Sequence, residues 1–216
     1  PILRVSPDQL ILKNGRIFNR RKAEQGLSLL EAVKTASREI GSVLGVGTYN
    51  QPTVEFTADR GFYGDTAASY AFVSHVAEVE VDTETGTVKV LRYFASHDIG
   101  KAINPMAAEG QVEGGMVQGI GYALMEQLIR ADGKVLNTSF LDYKIPSSLD
   151  VPSIEVKFLE KGHPEGPFGA KGIGELAMIP VAPAIANAIR HATGADIHKL
   201  PMTQEVVLDA VEAARL

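Results

Sequence analysis

A glycine-rich loop that ends in a carboxylate is the part of the 216-residue sequence best suited to chemistry, and its residues 169–175 read GAKGIGE. Its three glycines leave backbone N–H groups free to point at an anionic ligand. Glu175 precedes an apolar segment, and burial against that segment would suit the carboxylate to act as a general base. A solvated side chain, or a carboxylate that interacts with the dipole of a following helix, is the alternative.

Lys171, in the middle of this loop, is interpreted either as a surface ammonium or as a clamp for an anionic ligand or substrate. The loop lacks the Lys-Ser or Lys-Thr ending of a P-loop. A strand–glycine–helix unit with a downstream acid, which would support a dinucleotide fold, is also missing. The pattern therefore argues against an ATPase.

The segment 105–127 is a second candidate, because it is predicted to form a helix although it contains five glycines: Gly110, Gly114, Gly115, Gly119 and Gly121. Each interior glycine costs roughly 1 kcal/mol relative to alanine, so an offsetting interaction is needed. Close packing in a core and close approach of a bulky ligand are the competing explanations. Gln111 and Gln118 share a face with Gly115, where their amides could line a polar ligand or bond to neighbouring backbone.

Histidine and cysteine usage does not predict an ordinary protein metal site. None of the five histidines has metal-ligand spacing on one helix or hairpin, and His97 and Asp98, adjacent on a strand, should point to opposite faces and serve structure. The sequence contains no cysteine, which excludes thiolate zinc sites, Cys-ligated iron–sulfur clusters and disulfides. This composition fits a reducing compartment, and we expect a cytoplasmic protein.

Charge and hydropathy narrow the classes of partner. A net charge of −5 argues against a nucleic-acid binder, because such proteins neutralise phosphates with basic patches. The longest apolar stretch, residues 176–189, is interrupted by prolines and is shorter than the roughly 20 residues that a membrane span needs. We therefore expect a small-molecule substrate, with neither nucleic acid nor a membrane as partner.

The N-terminal half of the sequence predicts two hairpins and a helix. An Asn-Gly turn joins residues 10–12 to 16–18, and a capping box formed by Ser28 and Glu31 begins a helix that runs to about residue 40. Residues 45–70 show no clear period and are predicted to form loops and short strands. Alternating residues 75–81 and 88–94 predict a longer hairpin.

The remainder predicts helices mixed with strands. Asn104 and Pro105 begin the glycine-containing helix, and strands follow near residues 135–140 and 153–159. Two further helices are expected at about residues 181–192 and 203–215. This mixed order without an internal repeat predicts the α+β class, built from hairpins and helices. We divide the chain into an N-terminal α/β lobe, residues 1–68, and a second lobe, residues 69–216.

Three segments in this order resemble a known family. They are VSHVAEVEVD at 73–82, then HDIGKAINP at 97–105 running into GQVEGGMVQGIG at 110–121, and finally GAKGIGE at 169–175. Together they look like the C-terminal part of the molybdopterin-binding subunit of the xanthine dehydrogenase and aldehyde oxidase family, the molybdenum hydroxylases. Residues 200–203, LPMT, are also similar to that family's ending. The resemblance covers most of the chain from about residue 69 onward.

The resemblance assigns roles to residues in both candidate segments. It implies that Glu175 is the base and that Gln111 lies close to the molybdopterin cofactor. The other cofactor-binding residues that it implies are Gly114, Gly115, Lys171, Gly172, Ile173 and Gly174. Molybdenum would take its ligands from the pterin dithiolene, oxo, sulfido and hydroxyl groups and none from the protein. Glu175 would remove the proton from the Mo-bound hydroxyl, whose oxygen attacks an electron-poor carbon while hydride passes to the sulfido group.

The same resemblance implies partners and further cofactors. The chain would be one part of a larger elongated molybdenum-binding subunit, and we expect it to be a natural split subunit or a fragment. It would need the remaining part of that subunit, an iron–sulfur subunit with a [2Fe-2S] cluster and a flavin subunit with FAD. Molybdopterin is expected in its cytosine dinucleotide form. The implied reaction is hydroxylation of a purine, another N-heterocycle or an aldehyde, which makes the chain an enzyme component active only with its partners.

Two alternatives stay open at this point. Within the family, the chain could belong to a relative that acts on carbon monoxide or on a thioester. From a different class, it could be a cofactor-free scaffold subunit. Substrate profiling distinguishes the first alternative, and the effect of a Glu175→Gln substitution on activity distinguishes the second.

Overall fold

The structure is a computed structural model that describes residues 3–50, 53–61 and 63–215, in two compact units, Pro1–Asn50 and Gln51–Leu216. This division by contacts falls before residue 68, where we place the boundary from the sequence. The predicted lobe of residues 69–216 stays a prediction about where the cofactor-binding part of the chain begins.

The first unit contains a three-stranded antiparallel sheet and one helix: β1 Leu10–Lys13, β2 Arg16–Asn19, β3 Lys22–Ser28 and α1 Leu29–Ile40. The predicted Asn-Gly hairpin is confirmed, because Asn14 and Gly15 take the positive φ angles of 51° and 68° that its turn requires. The capping box is confirmed too, since the Ser28 hydroxyl accepts from the Glu31 N–H while the Glu31 carboxylate accepts from the Ser28 N–H. The third strand was not predicted.

The described part of the second unit contains seven strands and three α-helices: β4 Val54–Thr57, β5 Tyr63–Asp65, β6 Val73–Val81, β7 Val88–Asp98, α2 Pro105–Leu124, β8 Arg130–Ala131, β9 Lys134–Val135, β10 Ser153–Leu159, α3 Val181–Thr193 and α4 Gln204–Ala214. Strands and helices alternate in mixed order, which confirms the α+β class. None of the helices within the described residues has the length and hydropathy of a bilayer-spanning segment.

A three-stranded mixed sheet forms the centre of the second unit. Its strand order is β10-β7-β6, with β6 antiparallel to β7 and β10 parallel to it. Tyr93, Ala95 and His97 on β7 are buried, whereas the residues between them are more exposed. Helix α3 packs on β6 and α2 packs on α3, so the buried residues of these helices join the sheet in one core. The predicted hairpin and the predicted strand at 153–159 are confirmed.

Two predictions in the region after α2 are wrong. The helix ends at Leu124 instead of residue 127, because the N–H groups of Met125 and Glu126 both donate to the Gly121 carbonyl. The strand expected at residues 135–140 is limited to the two residues of β9. Asn137 is buried there, and its amide accepts from the Ile129 N–H and donates to the Gln127 carbonyl. These side-chain bonds close the loop in place of a strand ladder.

The predicted helix ends are otherwise observed. The Asn104 side chain accepts from the Ala107 N–H at the start of α2, and Thr203 caps α4 in the same way through Val206. Helix α3 stops at Gly194, whose φ of 79° lies in the left-handed region that glycine adopts without strain.

Candidate active site

The loop that carries Glu175 is joined to the carboxyl end of β7 by backbone hydrogen bonds. Ala170 pairs with Gly100 in an isolated bridge, and the Lys171 N–H donates to the Ile99 carbonyl over 2.9 Å. In the other direction, the Lys101 N–H donates to the Gly169 carbonyl over 2.8 Å. The upstream half of the loop is therefore an extension of the central sheet.

The Lys171 ammonium is compensated inside the chain. Its Nζ lies 2.5 Å from Asp98 Oδ2 and donates to the Tyr70 carbonyl over 2.9 Å. The Lys171 and Asp98 side chains are only 11% and 13% exposed. Burial alone would raise the pKa of Asp98, but the hydrogen bonds from Lys171 and the Gly100 N–H, with the charge of the lysine, lower it. Lys171 is thus neither a surface ammonium nor an unpaired cation that could clamp an anion.

Glu175 is the first residue of a single 3-10 turn, Glu175–Ala177. Its side chain is exposed, and the described residues give its carboxylate no hydrogen bond or ion pair. The expectation of partial burial is therefore wrong for this chain, because Ala177 in the same turn is the residue that enters the core. The next helix, α3, begins at Val181 as predicted, six residues after Glu175, so a helix dipole does not act directly on this carboxylate. Glu175 is a carboxylate presented at the surface.

The other end of this turn packs on helix α2. Ala177 is completely buried, and a Cβ added at Gly115 would lie 2.7 Å from the Ala177 Cβ. A methyl group at position 115 would therefore push the turn away. Gly115, for which the resemblance implies cofactor binding, has a packing role in this structure.

The remaining glycines of α2 divide into two groups. A Cβ at Gly119 would lie 2.6 Å from the Val181 Cβ, and one at Gly121 would lie 2.7 Å from the Pro146 Cδ. Close packing explains these two glycines. Gly110 and Gly114 are exposed, and added Cβ atoms there would meet nothing within 4 Å. Packing within the described chain does not account for that pair.

A surface cavity of about 290 Å³ brings three of the predicted site residues together. Gln111 from α2 lines it with Lys171 and Ile173 from the loop. Gly114, Gly115, Gly172, Gly174 and Glu175 are not part of its lining. The positions of Gly172 and Gly174 are open, since a Cβ at either would meet no atom within 4 Å. The loop backbone beside the cavity is therefore accessible.

A histidine pair on the β6–β7 hairpin, in which His97 is buried and His75 partly buried, was not foreseen from the sequence. The Nε2 atoms of His75 and His97 lie 2.8 Å apart, and the Tyr93 hydroxyl lies 3.4 Å from His75 Nδ1. Burial, and secondarily the charge of His97, lowers the pKa of His75 to about 4. Burial also lowers the pKa of His97, whose Nδ1 finds no hydrogen-bond partner among the described residues. Both rings are neutral at pH 7.

The register of the hairpin explains the pair. His75 lies opposite Ala95, which places it diagonally beside His97 on the same face of the sheet. The sequence carries no signal for the pair, because a regular pairing of residues 75–81 with 88–94 would set His75 opposite Phe94, whereas a register shift between Glu78 and Val79 brings it opposite Ala95. The prediction that His97 and Asp98 face opposite sides is confirmed, because His97 joins the core while Asp98 reaches Lys171.

The open surface between α2 and the loop fits the pterin cofactor that the resemblance implies. Gly110 and Gly114 leave the helix backbone uncovered, and the exposed Gln111 offers both a donor and an acceptor beside it. The open backbone of Gly172 and Gly174 adds further hydrogen-bonding groups. Among the described residues, no group of three or more His, Asp or Glu side chains is close enough to hold a metal ion. The groups present on this surface, an amide side chain and open backbone, can hydrogen-bond to the polar edge of a pterin.

Comparison with known proteins gives the family. The model of the molybdopterin cofactor-binding domain matches residues 1–152. The gamma subunit of the 6-hydroxypseudooxynicotine dehydrogenase complex of Paenarthrobacter nicotinovorans is 35% identical over 210 residues, covering 95% of this chain and 25% of that subunit. The xanthine dehydrogenase molybdenum-binding subunit of Escherichia coli O157:H7 is 41% identical over 148 residues, covering 68% of this chain and 20% of the subunit.

A solved structure agrees. Quinoline 2-oxidoreductase from Pseudomonas putida 86 superposes with a TM-score of 0.75 at 30% identity, over 98% of this chain and 27% of that chain. This chain thus spans a fifth to about a quarter of the length of these proteins. The match extends over most of the sequence, including the part before residue 69, where the resemblance is weaker. The chain belongs to the molybdopterin cofactor-binding domain family.

Proposed function

We propose that this chain is part of the molybdenum-binding subunit of a multi-subunit oxidoreductase that hydroxylates a purine, another N-heterocycle or an aldehyde. The relatives' names support this proposal, since they include a xanthine dehydrogenase and a quinoline oxidoreductase. The observation that carries it is the loop of residues 169–175, held against β7 on one side and α2 on the other. This arrangement presents the unpaired Glu175 carboxylate beside an open backbone.

In this proposal, the residues of the chain bind the cofactor and move a proton. Gln111 bonds to the polar edge of the cofactor, Gly114 lets it approach α2, and the backbone from Gly172 to Gly174 lies against it. Lys171 and Gly115 act on the position of the loop, because one is held in an ion pair and the other packs on Ala177. A Glu175 oxygen would accept the proton that the water-derived oxygen gives up during hydroxylation. The bound molybdopterin supplies the redox-active metal centre for hydroxylation with oxygen from water.

The proposal includes partners and cofactors beyond this chain. The cofactor is molybdopterin cytosine dinucleotide, and residues 69–216 form the lobe that binds it. Further chains supply the rest of the molybdenum-binding site, a [2Fe-2S] cluster and FAD, through which electrons leave. The name of one relative, a gamma subunit of a dehydrogenase complex, supports such an assembly. The cysteine-free sequence fits a cytoplasmic location.

Replacement of the base is the direct test. Glu175→Gln keeps the size of the side chain but removes its ability to accept a proton, and we expect activity of the purified complex to fall by about 10³-fold or more. Molybdenum content, measured by elemental analysis, should stay at about one atom per copy of this chain. Glu212→Gln, an exposed carboxylate on α4, is the matched control and should change neither quantity.

Two outcomes would contradict the proposal. A complex without molybdenum would remove the cofactor on which the reaction depends. Full activity of the Glu175→Gln variant with a normal metal content would instead leave the metal and reject the role of the base, as expected of a scaffold subunit.

A further inference from the structure

The segment between Lys171 and Ala177 has anchors at both ends, and two of the residues between them, Gly172 and Gly174, have open space around them. At the upstream end, Lys171 is bound through its backbone to Ile99 and through its ammonium to Asp98. At the downstream end, Ala177 is buried against Gly115. The position of the Glu175 carboxylate therefore depends on where these two ends are held.

The glycines on either side of Ile173 make the upstream anchor important. Gly172 and Gly174 have open space around them, so packing of their own does not restrain the backbone at those positions. Ile173 packs against the core as a partly buried residue. A shift at Lys171 would accordingly be passed along the short segment to Glu175.

The ion pair at this anchor differs from the other ion pairs of the second unit. Lys171 and Asp98 are 11% and 13% exposed, whereas Arg92 and Glu78, on the same hairpin, are 75% and 49% exposed. An exposed pair contributes little to structure, but a buried pair holds its two elements together because an unpaired charge there is costly. Lys171 also donates to the Tyr70 carbonyl, which adds a third segment to the junction.

We propose that Asp98 is a positioning residue for Glu175, acting through Lys171. The carboxylate of Asp98 holds the lysine at the end of β7, and the lysine sets the starting point of the segment that presents the base. This inference rests on the proposed role of Glu175, although the restraint on the loop exists independently of that role. Neither Asp98 nor Lys171 touches the reacting atoms in this scheme.

A double-substitution cycle in the purified complex tests the inference. The variants are Asp98→Asn, Lys171→Met and the two combined, with Glu78→Gln combined with Arg92→Met as the control for an exposed pair. We expect each single variant to lower kcat by about 10- to 100-fold, because small misplacements of a catalytic group have effects of this size. The double variant should be no worse than the worse single variant, since both changes break one interaction. The control should keep kcat.

The second readout does not depend on turnover. Hydrogen exchange of the backbone amides of residues 101 and 171, which bond the loop to the end of β7, should become at least about 10-fold faster in all three variants while molybdenum content stays normal, as measured by mass spectrometry. Lys171→Arg, which retains a cation, should restore slow exchange in part. The double variant leaves no unpaired buried charge. If the pair only avoids such a charge and does not position the loop, the double variant should regain both slow exchange and kcat, and that result would overturn the inference.

The outcomes separate the two proposals. Unchanged exchange and unchanged kcat in the Asp98→Asn and Lys171→Met variants would overturn the inference, even if Glu175→Gln abolishes activity. Faster exchange with unchanged kcat would also overturn it, because the loop would move without consequence for the base. If Glu175→Gln leaves activity intact, the proposed function fails, and the exchange data still report whether the pair restrains the loop.

Discussion

The two sides of helix α2 use glycine for different purposes. On one side, Gly115 and Gly119 lie so close to neighbouring atoms that an added Cβ would come within 3 Å of them. On the other side, Gly110 and Gly114 face open space. An interior glycine costs a helix roughly 1 kcal/mol relative to alanine on either side. For Gly115 and Gly119 that cost is offset by contacts within the described chain, and for Gly110 and Gly114 it is not.

This difference indicates which side of the helix is available to a ligand, which the number of glycines in the helix does not. The packed side explains how the turn with Glu175 comes so near to the helix. The open side, beside which the exposed Gln111 lies, keeps its backbone uncovered at a cost in helix stability. Under the proposed function, the cofactor occupies that space. Three predictions distinguish the two sides, and one more tests the β6–β7 hairpin.

The largest effect is expected from Gly115→Ala. The new methyl group would lie 2.7 Å from the Ala177 Cβ, so the turn must move and carry Glu175 with it. We expect kcat of the complex to fall by about 100-fold with molybdenum retained, because a displacement of about 1 Å has effects of this order. Gly115→Ala combined with Ala177→Gly removes the clash and should restore most of the activity. A normal kcat in the single variant would show that the turn does not position the base.

The β6–β7 hairpin should be sensitive to acid. The pKa of His75 is lowered from 6.5 to about 4 in the folded protein, so the unfolded chain binds more protons between these values. Stability is therefore retained above pH 6.5 and lost as the pH falls through 4, by about 2 kcal/mol once the shift is discounted for the solvent that reaches the partly buried ring. Denaturant titrations of the protein at several pH values should show this loss.

Substitution of the partly buried His75 ring tests the origin of that loss. His75→Phe should flatten the pH dependence of unfolding in this window, whereas the exposed His191→Gln should leave it unchanged. An unaltered acid profile in His75→Phe would mean that other groups cause the loss.

A smaller effect is expected from Gly119→Ala, which tests packing without the active-site loop. The methyl group would lie 2.6 Å from the Val181 Cβ, and Val181 is completely buried. Overpacking should exceed the gain in helix propensity and lower the free energy of unfolding by about 1 kcal/mol, measured by denaturant titration. Val181→Ala combined with Gly119→Ala should cost less than the sum of the two separate changes. Strict additivity would argue against contact between the two positions.

The sequence predicts the elements of this fold better than it predicts their packing. Local signals such as the capping box at Ser28 and the cap at Asn104 were sufficient for the helix starts. The parallel pairing of β10 with β7 and the short β9 depend on distant contacts and on the buried Asn137, which no local pattern reveals. Local chemistry therefore predicted where elements begin, whereas long-range contacts decided how they associate.

The candidate site also has parts that local sequence predicts and parts that depend on long-range contacts. The pattern of residues 169–175 identified the loop, but not that Lys171 is paired with a residue 73 positions earlier. Nor could the pattern indicate that Gly115 touches Ala177, because that contact requires the helix and the turn to be placed in space. The His75–His97 pair was also out of reach of the pattern, because it depends on the register shift between Glu78 and Val79 in the hairpin.

Gly114→Ala is expected to have the smallest effect on stability and the opposite sign. A Cβ at position 114 meets nothing within 4 Å, so the substitution should stabilise the chain by about 0.5 to 1 kcal/mol through helix propensity and a less flexible unfolded state. If the cofactor lies against this side of α2, the same methyl group should lower the molybdenum content of the purified complex. The Gly114→Ala protein should thus be more stable and contain less molybdenum, whereas the Gly119→Ala protein should be less stable and keep its molybdenum. These opposite results would distinguish the open side of the helix from the packed side. A Gly114→Ala complex with full molybdenum and full activity would show that the open glycines do not contact the cofactor.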